Sequence, residues 1–250
     1  LTMIGGWPFR VLCVATGVIV FEEWSRMTRA KLAGPIFRFA RRALYLSLIA
    51  FLFGFYLAAV AIVFGGAAFI AFVDRGERKA DWVLGGLFYA AVASLTPGML
   101  RGDDAAGLTA LGLIIAVVWP TDIFAYFTGR SIGGPKLMPR VSPKKTISGA
   151  LGGLVAGVVF GVLFAEWVAG SAGLFIVVLA ALLSIFGQAG DLYESWIKRR
   201  FGVKDSGRLI PGHGGLMDRI DGLIIATAIA WLVGLLLAGF DHPARGIFPL

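Results

Sequence analysis

Residues 188–221 read QAGDLYESWIKRRFGVKDSGRLIPGHGGLMDRID and stand between two strongly apolar segments. Charge at the edge of a bilayer is costly unless it is paired, solvated or metal-bound. The stretch therefore marks its flanks as spanning helices and its centre as a candidate functional site. Gln188, Asp191, Ser195 and Lys198 recur at three- and four-residue steps, which places them on one helical face. The following SGRLIPGHGGLMD (206–218) has the Gly and Pro content of a loop whose amides can approach a ligand closely. A helix resumes near Met217 and sets Asp218 and Asp221 one turn apart.

Composition carries the same reading to the whole chain. The 250 residues are 58% hydrophobic and only 15% charged, with a mean hydropathy of +0.84. This excludes an ordinary soluble domain and predicts an all-α, polytopic transmembrane bundle. Eight spans are expected, at 9–24, 41–56, 58–73, 82–99, 107–128, 148–168, 172–197 and 220–240. The apolar run 43–73 is about 46 Å long at 1.5 Å per residue, and one span needs about 30 Å. It is therefore divided into two helices near residue 57.

Of the 23 Lys and Arg, all but Arg10, Arg101 and Arg245 fall in 25–42, 74–81, 129–147 and 198–219. Consecutive spans alternate in direction, so these four connections share one side, which is cytoplasmic. The expected location is the inner (plasma) membrane. The net charge of +8 is then topology, and no nucleic-acid partner is expected. The single cysteine, Cys13, lies in an apolar run and forms no disulfide within the chain. Residues 1–24 lack the basic start and cleavage site of a signal peptide.

A second polar region, WPTDIFAYFTGRSIGGPKLMPRVSPKKTISG, spans 119–149. Asp122 lies inside an apolar run just after Pro120, which kinks a helix and frees carbonyls for Thr121, water or a cation. Asp122, Tyr126 and Gly129 share a face, and an intramembrane carboxylate usually meets a polar cavity or a cation. The basic loop that follows carries Lys136, Arg140, Lys144 and Lys145. Its Ser142, Lys144, Lys145 and Thr146, ahead of a helix, are suited to phosphate. Gly149, Gly153, Gly157 and Gly161 form a smooth strip for close helix packing, within the subunit or across a homodimer.

The central stretch resembles the signature of the phosphatidate cytidylyltransferases. The matching positions are Ser195, Lys198, Arg199, Lys204, Asp205, Pro211, His213, Gly214, Gly215, Asp218, Arg219 and Asp221. The Asp-x-x-Ala-Tyr and Ser-Pro-Lys-Lys-Thr pieces upstream resemble the same family. Ser148 departs from it, because many relatives are acidic there. The resemblance implies transfer of the cytidylyl group of CTP to phosphatidate, giving CDP-diacylglycerol and pyrophosphate. It also implies a metal centre in which Asp191 and Asp218 bridge Mg²⁺, with K⁺ as a second cation and Asp221 in support. A further hydrophobic segment ahead of GGWPF is usual in the family and would bring the spans to nine.

On this reading the chain is one integral membrane catalytic domain, 1–250. Residues 1–106 mainly embed it, and 107–240 carry the site. Asp191, Asp218, Asp221, Lys204, Arg219 and His213 form the catalytic group. Ser142, Lys144, Lys145, Thr146, Ser195, Lys198, Arg199 and Asp122 bind substrate. Carboxylates alone repel a triphosphate, whereas Mg²⁺ between them and cations around them hold it. His213 either donates to a phosphate oxygen or orders its loop. Acyl chains stay in membrane lipid while the headgroup meets soluble CTP. Two other readings stay open: a secondary transporter of an anionic solute, and a CTP-dependent enzyme acting on an isoprenoid lipid.

Overall fold

The computed structural model describes residues 2–74, 80–170, 172–209 and 214–248. Among these are eight α-helices: α1 (Gly6–Met27), α2 (Pro35–Leu52), α3 (Tyr56–Asp74), α4 (Asp81–Arg101), α5 (Ala105–Ser131), α6 (Ile147–Ala169), α7 (Leu174–Arg200) and α8 (Met217–Ala238). A small antiparallel hairpin of β1 (Lys136–Met138) and β2 (Ser142–Thr146) sits in the stretch read from sequence as a basic loop. Six helices, α3 to α8, are long and apolar enough to cross a membrane. This differs from the eight spans expected, because charge interrupts the first two helices. Arg10, Glu22, Glu23 and Arg26 lie in α1, and Arg38, Arg41 and Arg42 lie in α2. The architecture is an all-α membrane bundle.

The chain forms two compact units, residues 1–99 with 200–219, and residues 100–199 with 220–250. The first unit is organised around Trp24, which is fully buried. Its Nε1 donates to the Trp82 carbonyl at 2.8 Å, and its ring lies 5.2 Å from that of Tyr89. Gly85 and Gly86 face the indole, where an added Cβ would stand 2.8 and 2.6 Å from ring atoms. The break in the long apolar run falls at 53–55, earlier than the expected 57. Gly54 has φ +86°, and Arg10 donates to the Leu52 carbonyl at 3.1 Å. A left-handed glycine together with a cation on a terminal carbonyl is an ordinary helix stop.

In the second unit the glycine strip of α6 packs within the subunit, against α5. An added Cβ would stand 2.6 Å from the Ala125 carbonyl oxygen at Gly149 and 2.6 Å from that of Thr121 at Gly153. At Gly157 and Gly161 it would stand 2.3 Å from Thr121 Oγ1 and 2.7 Å from Val117 Cγ2. Helices packed in lipid gain from such backbone approach because no hydrophobic force joins them there. α5 runs unbroken through Pro120, and Thr121 Oγ1 bonds the Val117 carbonyl at 2.8 Å and Ser184 Oγ at 2.9 Å. α7 and α8 also meet at glycine: a Cβ on Gly190 would stand 2.8 Å from the Asp221 carbonyl oxygen. Large side chains such as Phe72, Trp167 and Leu236 point outward with exposures of 75%, 82% and 76%, as lipid-facing residues do.

Candidate active site

Within the second unit, α5, the hairpin and the start of α6 enclose a cavity of about 400 Å³. Its walls carry Arg130, Lys136, Lys144 and Lys145 and no carboxylate, with Tyr126, Thr146 and Gln188 adding polar atoms. Four cations around a concave surface concentrate anions. The hairpin is what aims Lys144 and Lys145, since β2 runs directly into α6. Thr146 is the N-cap, its Oγ1 accepting from the Gly149 amide at 3.0 Å. Gly129 permits this close approach, because a Cβ there would stand 2.8 Å from that hydroxyl. Ser148 contacts Thr146 Oγ1 at 3.0 Å and donates to the Gly133 carbonyl, so its hydroxyl braces the loop.

Behind the cavity lies a cluster of carboxylates. Lys145 Nζ makes an ion pair with Asp191 Oδ2. Ser195 Oγ, one turn along α7, donates to Asp191 Oδ1 at 3.3 Å. Asp122 and Asp221 both lie within electrostatic reach of Asp191, and Asp122 also of Lys145. Tyr126 and Gly129 line the cavity, whereas Asp122, on the same face of α5, is not among its walls. Glu194 is fully buried, pairs with Lys198 at 3.3 Å and contacts Asp221. Arg199 Nε donates to the Val141 carbonyl at 3.4 Å, tying α7 to the hairpin. Among the described residues no three His, Cys, Asp or Glu side chains converge tightly enough to hold a metal ion by themselves. Mg²⁺ asks for less: one or two carboxylates, with water and substrate phosphate completing the shell. The donor set fits that requirement.

The first unit holds a different carboxylate cluster. Asp218 Oδ2 accepts from the Ser206 amide at 2.9 Å, the Ser206 hydroxyl at 2.9 Å and the Gly215 amide at 2.8 Å. Gly214, at φ +88°, would set a Cβ 2.8 Å from that oxygen, so only glycine serves there. Glu23 of α1 accepts from the amides of Leu216 at 2.9 Å and Met217 at 2.8 Å. Lys204 and Arg219 are exposed in this unit. Pro211 and His213 lie outside the described residues.

Sequence reasoning passed over Glu23, Glu194 and Arg130, and named Lys136 in the basic loop without giving it a site role. Arg130 and Lys136 had a signal, since they sit in the basic connection 129–147. Glu194 lies within the quoted stretch, three residues after Asp191 and four before Lys198, so the same helical spacing could have found it. Glu23 is a charge within α1, but nothing in the sequence ties it to the signature, which begins far downstream.

Fold and site together define a polytopic membrane protein with a cavity lined by four cations. The chain belongs to the cytidylyltransferase family, whose model matches residues 1–237. Among its relatives is a phosphatidate cytidylyltransferase of Brucella suis, 44% identical over 250 residues, covering 99% of this chain and 92% of that one. Another, from Bacillus subtilis and of the same name, is 32% identical over 248 residues, covering 93% and 91%. A third, from Staphylococcus haemolyticus, is 40% identical over 114 residues, covering 45% and 44%.

Proposed function

We propose that this chain transfers the cytidylyl group of CTP to phosphatidate, forming CDP-diacylglycerol and pyrophosphate in phospholipid biosynthesis. Family membership and near full-length relatives of that name support the reaction. The observation that carries the site is the cationic cavity with Lys145 poised between it and Asp191. A phosphate oxygen of phosphatidate attacks the α-phosphorus of CTP. The bond from that phosphorus to the bridging oxygen breaks, and its electrons leave with pyrophosphate. The nucleophile is already an anion, so no strong general base is required, and positioning with charge neutralisation supplies the rate.

Arg130, Lys136, Lys144 and Lys145 bind the phosphates; α5 presents the arginine, and the hairpin orients the three lysines. Asp191 holds the Lys145 ammonium in place until substrate phosphate competes for it. Ser195 fixes the Asp191 rotamer. Lys198 and Arg199 carry positive charge beside this site while bracing Glu194 and the hairpin. Lys204 and Arg219 remain proposed phosphate contacts from the signature. Asp191 and Asp221 are the proposed Mg²⁺ ligands, with Asp218 and K⁺ added on the strength of the resemblance alone. Bound there, Mg²⁺ supplies charge neutralisation of the triphosphate. The positive connections support an inner-membrane location with the site facing the cytoplasm.

The direct test incubates purified full chain in detergent with labelled CTP, phosphatidate and Mg²⁺, and follows CDP-diacylglycerol and pyrophosphate. Stoichiometric formation of both is expected. Solute uptake by proteoliposomes with no lipid product would overturn the reading.

A further inference from the structure

Glu23 takes no part in the chemistry described, yet the first unit is built closely around it. It is 4% exposed. Its two oxygens accept from the Leu216 and Met217 amides, at the start of α8. Those are amides a helix otherwise leaves without partners, and a carboxylate at a helix N-terminus is further favoured by the dipole. Ser206 Oγ lies 3.2 Å from Glu23 Oε2 and 2.9 Å from Asp218 Oδ2. A hydroxyl has one proton to donate, so the two carboxylates are linked through a single shared group. Gly207 and Gly215 approach Glu23 so closely that a Cβ on either would stand 2.6 Å from its carboxylate oxygens. One glycine of the Gly214–Gly215 pair thus makes room for Asp218, and the other for Glu23.

We propose that Glu23 is a positioning residue for Asp218. By clamping the first turn of α8 and the Ser206 hydroxyl, it presents the Asp218 carboxylate in one orientation during cytidylyl transfer. The proposal rests on the reading of Asp218 as an active-site carboxylate. A residue that only closed a helix end would affect folding and leave turnover per folded molecule alone. A positioning residue affects turnover, because misplacement of a reacting group by about 1 Å costs about 10²-fold.

The experiment compares Glu23→Gln, Ser206→Ala, their double variant and Asp218→Asn with wild type, as full chains in detergent. It measures kcat and KM at equal concentrations of folded protein, together with thermal unfolding. Glu23→Gln keeps the shape but turns an NH₂ toward an amide N–H. Its kcat should fall about 10²-fold, with the phosphatidate KM within about twofold. Ser206→Ala should lose about tenfold, and the double variant no more than Glu23→Gln alone, since they break one link. Lower melting temperature with unchanged kcat per folded molecule overturns the proposal. If Glu23→Gln does not fold, Ser206→Ala decides: wild-type kcat overturns it. An inactive Asp218→Asn beside wild-type-like Glu23→Gln and Ser206→Ala sinks the positioning role only. An active Asp218→Asn sinks the reading beneath it.

Discussion

Asp191 and Asp218 are the same residue type in the same signature region, held by opposite means. Asp191 is clamped by a lysine whose side chain is 32% exposed, on a hairpin that borders the cationic cavity. Asp218, in the first turn of α8, is held by the Ser206 and Gly215 amides and the Ser206 hydroxyl. An ammonium on a flexible stem can exchange a carboxylate for a phosphate. Backbone amides are fixed to the chain and cannot swap partners as a side chain on a flexible stem can. The first arrangement suits a group that must respond to substrate, and the second suits one that must already be in place.

Neutralising either carboxylate should have the largest effect. Asp191→Asn and Asp218→Asn are each expected to lower kcat by about 10³-fold while folded protein is retained, measured by product formation and detergent size exclusion. Lengthening them separates the two. Asp218→Glu should stay about 10³-fold impaired because its cradle is rigid, whereas Asp191→Glu should recover to within about 10²-fold, as its lysine can follow. Equal losses would break the comparison.

Lys145→Met removes the exchangeable partner and should cost about 10²-fold in kcat/KM for CTP, with a raised KM. An unchanged KM would take Lys145 out of the phosphate site. Glu194→Ala removes the fully buried carboxylate that Lys198 pairs with and should destabilise the chain by about 3 kcal/mol, read from denaturant unfolding. The smallest effect belongs to the exposed pair Arg245–Asp104, at 3.1 Å. Arg245→Ala should change stability by less than about 1 kcal/mol and leave turnover unaltered.

Helix order was legible because hydrophobicity and length report directly on spans: each of α1 to α8 coincides with an expected segment. Lys144, Lys145 and Asp191, which the structure brings together, stood out in the sequence because they interrupt apolar segments, as did Asp122, Asp218 and Asp221; their part in catalysis is the proposal. The hairpin was missed because three and five residues of strand carry too short a pattern to stand out from a loop. The stop at Gly54 was misplaced because Arg10, which takes the Leu52 carbonyl, lies 42 residues upstream. Glu194 could have been read as the i,i+4 partner of Lys198 along α7, whereas its burial and its contact with Asp221 of α8 are set by tertiary packing.

Local chemistry in the chain determined the membrane bundle, the basic connections and the residue types of the proposed phosphate-handling site. Each depends on neighbours within a turn or a span, so each is written in order along the sequence. Tertiary structure alone decided which oxygen meets which donor. It laid the α6 glycines against α5, gave Lys145 to Asp191, and brought Glu23 to amides 193 and 194 residues away. Hydrogen bonds are short-ranged in space and indifferent to separation along the chain, so no pattern in the sequence records them.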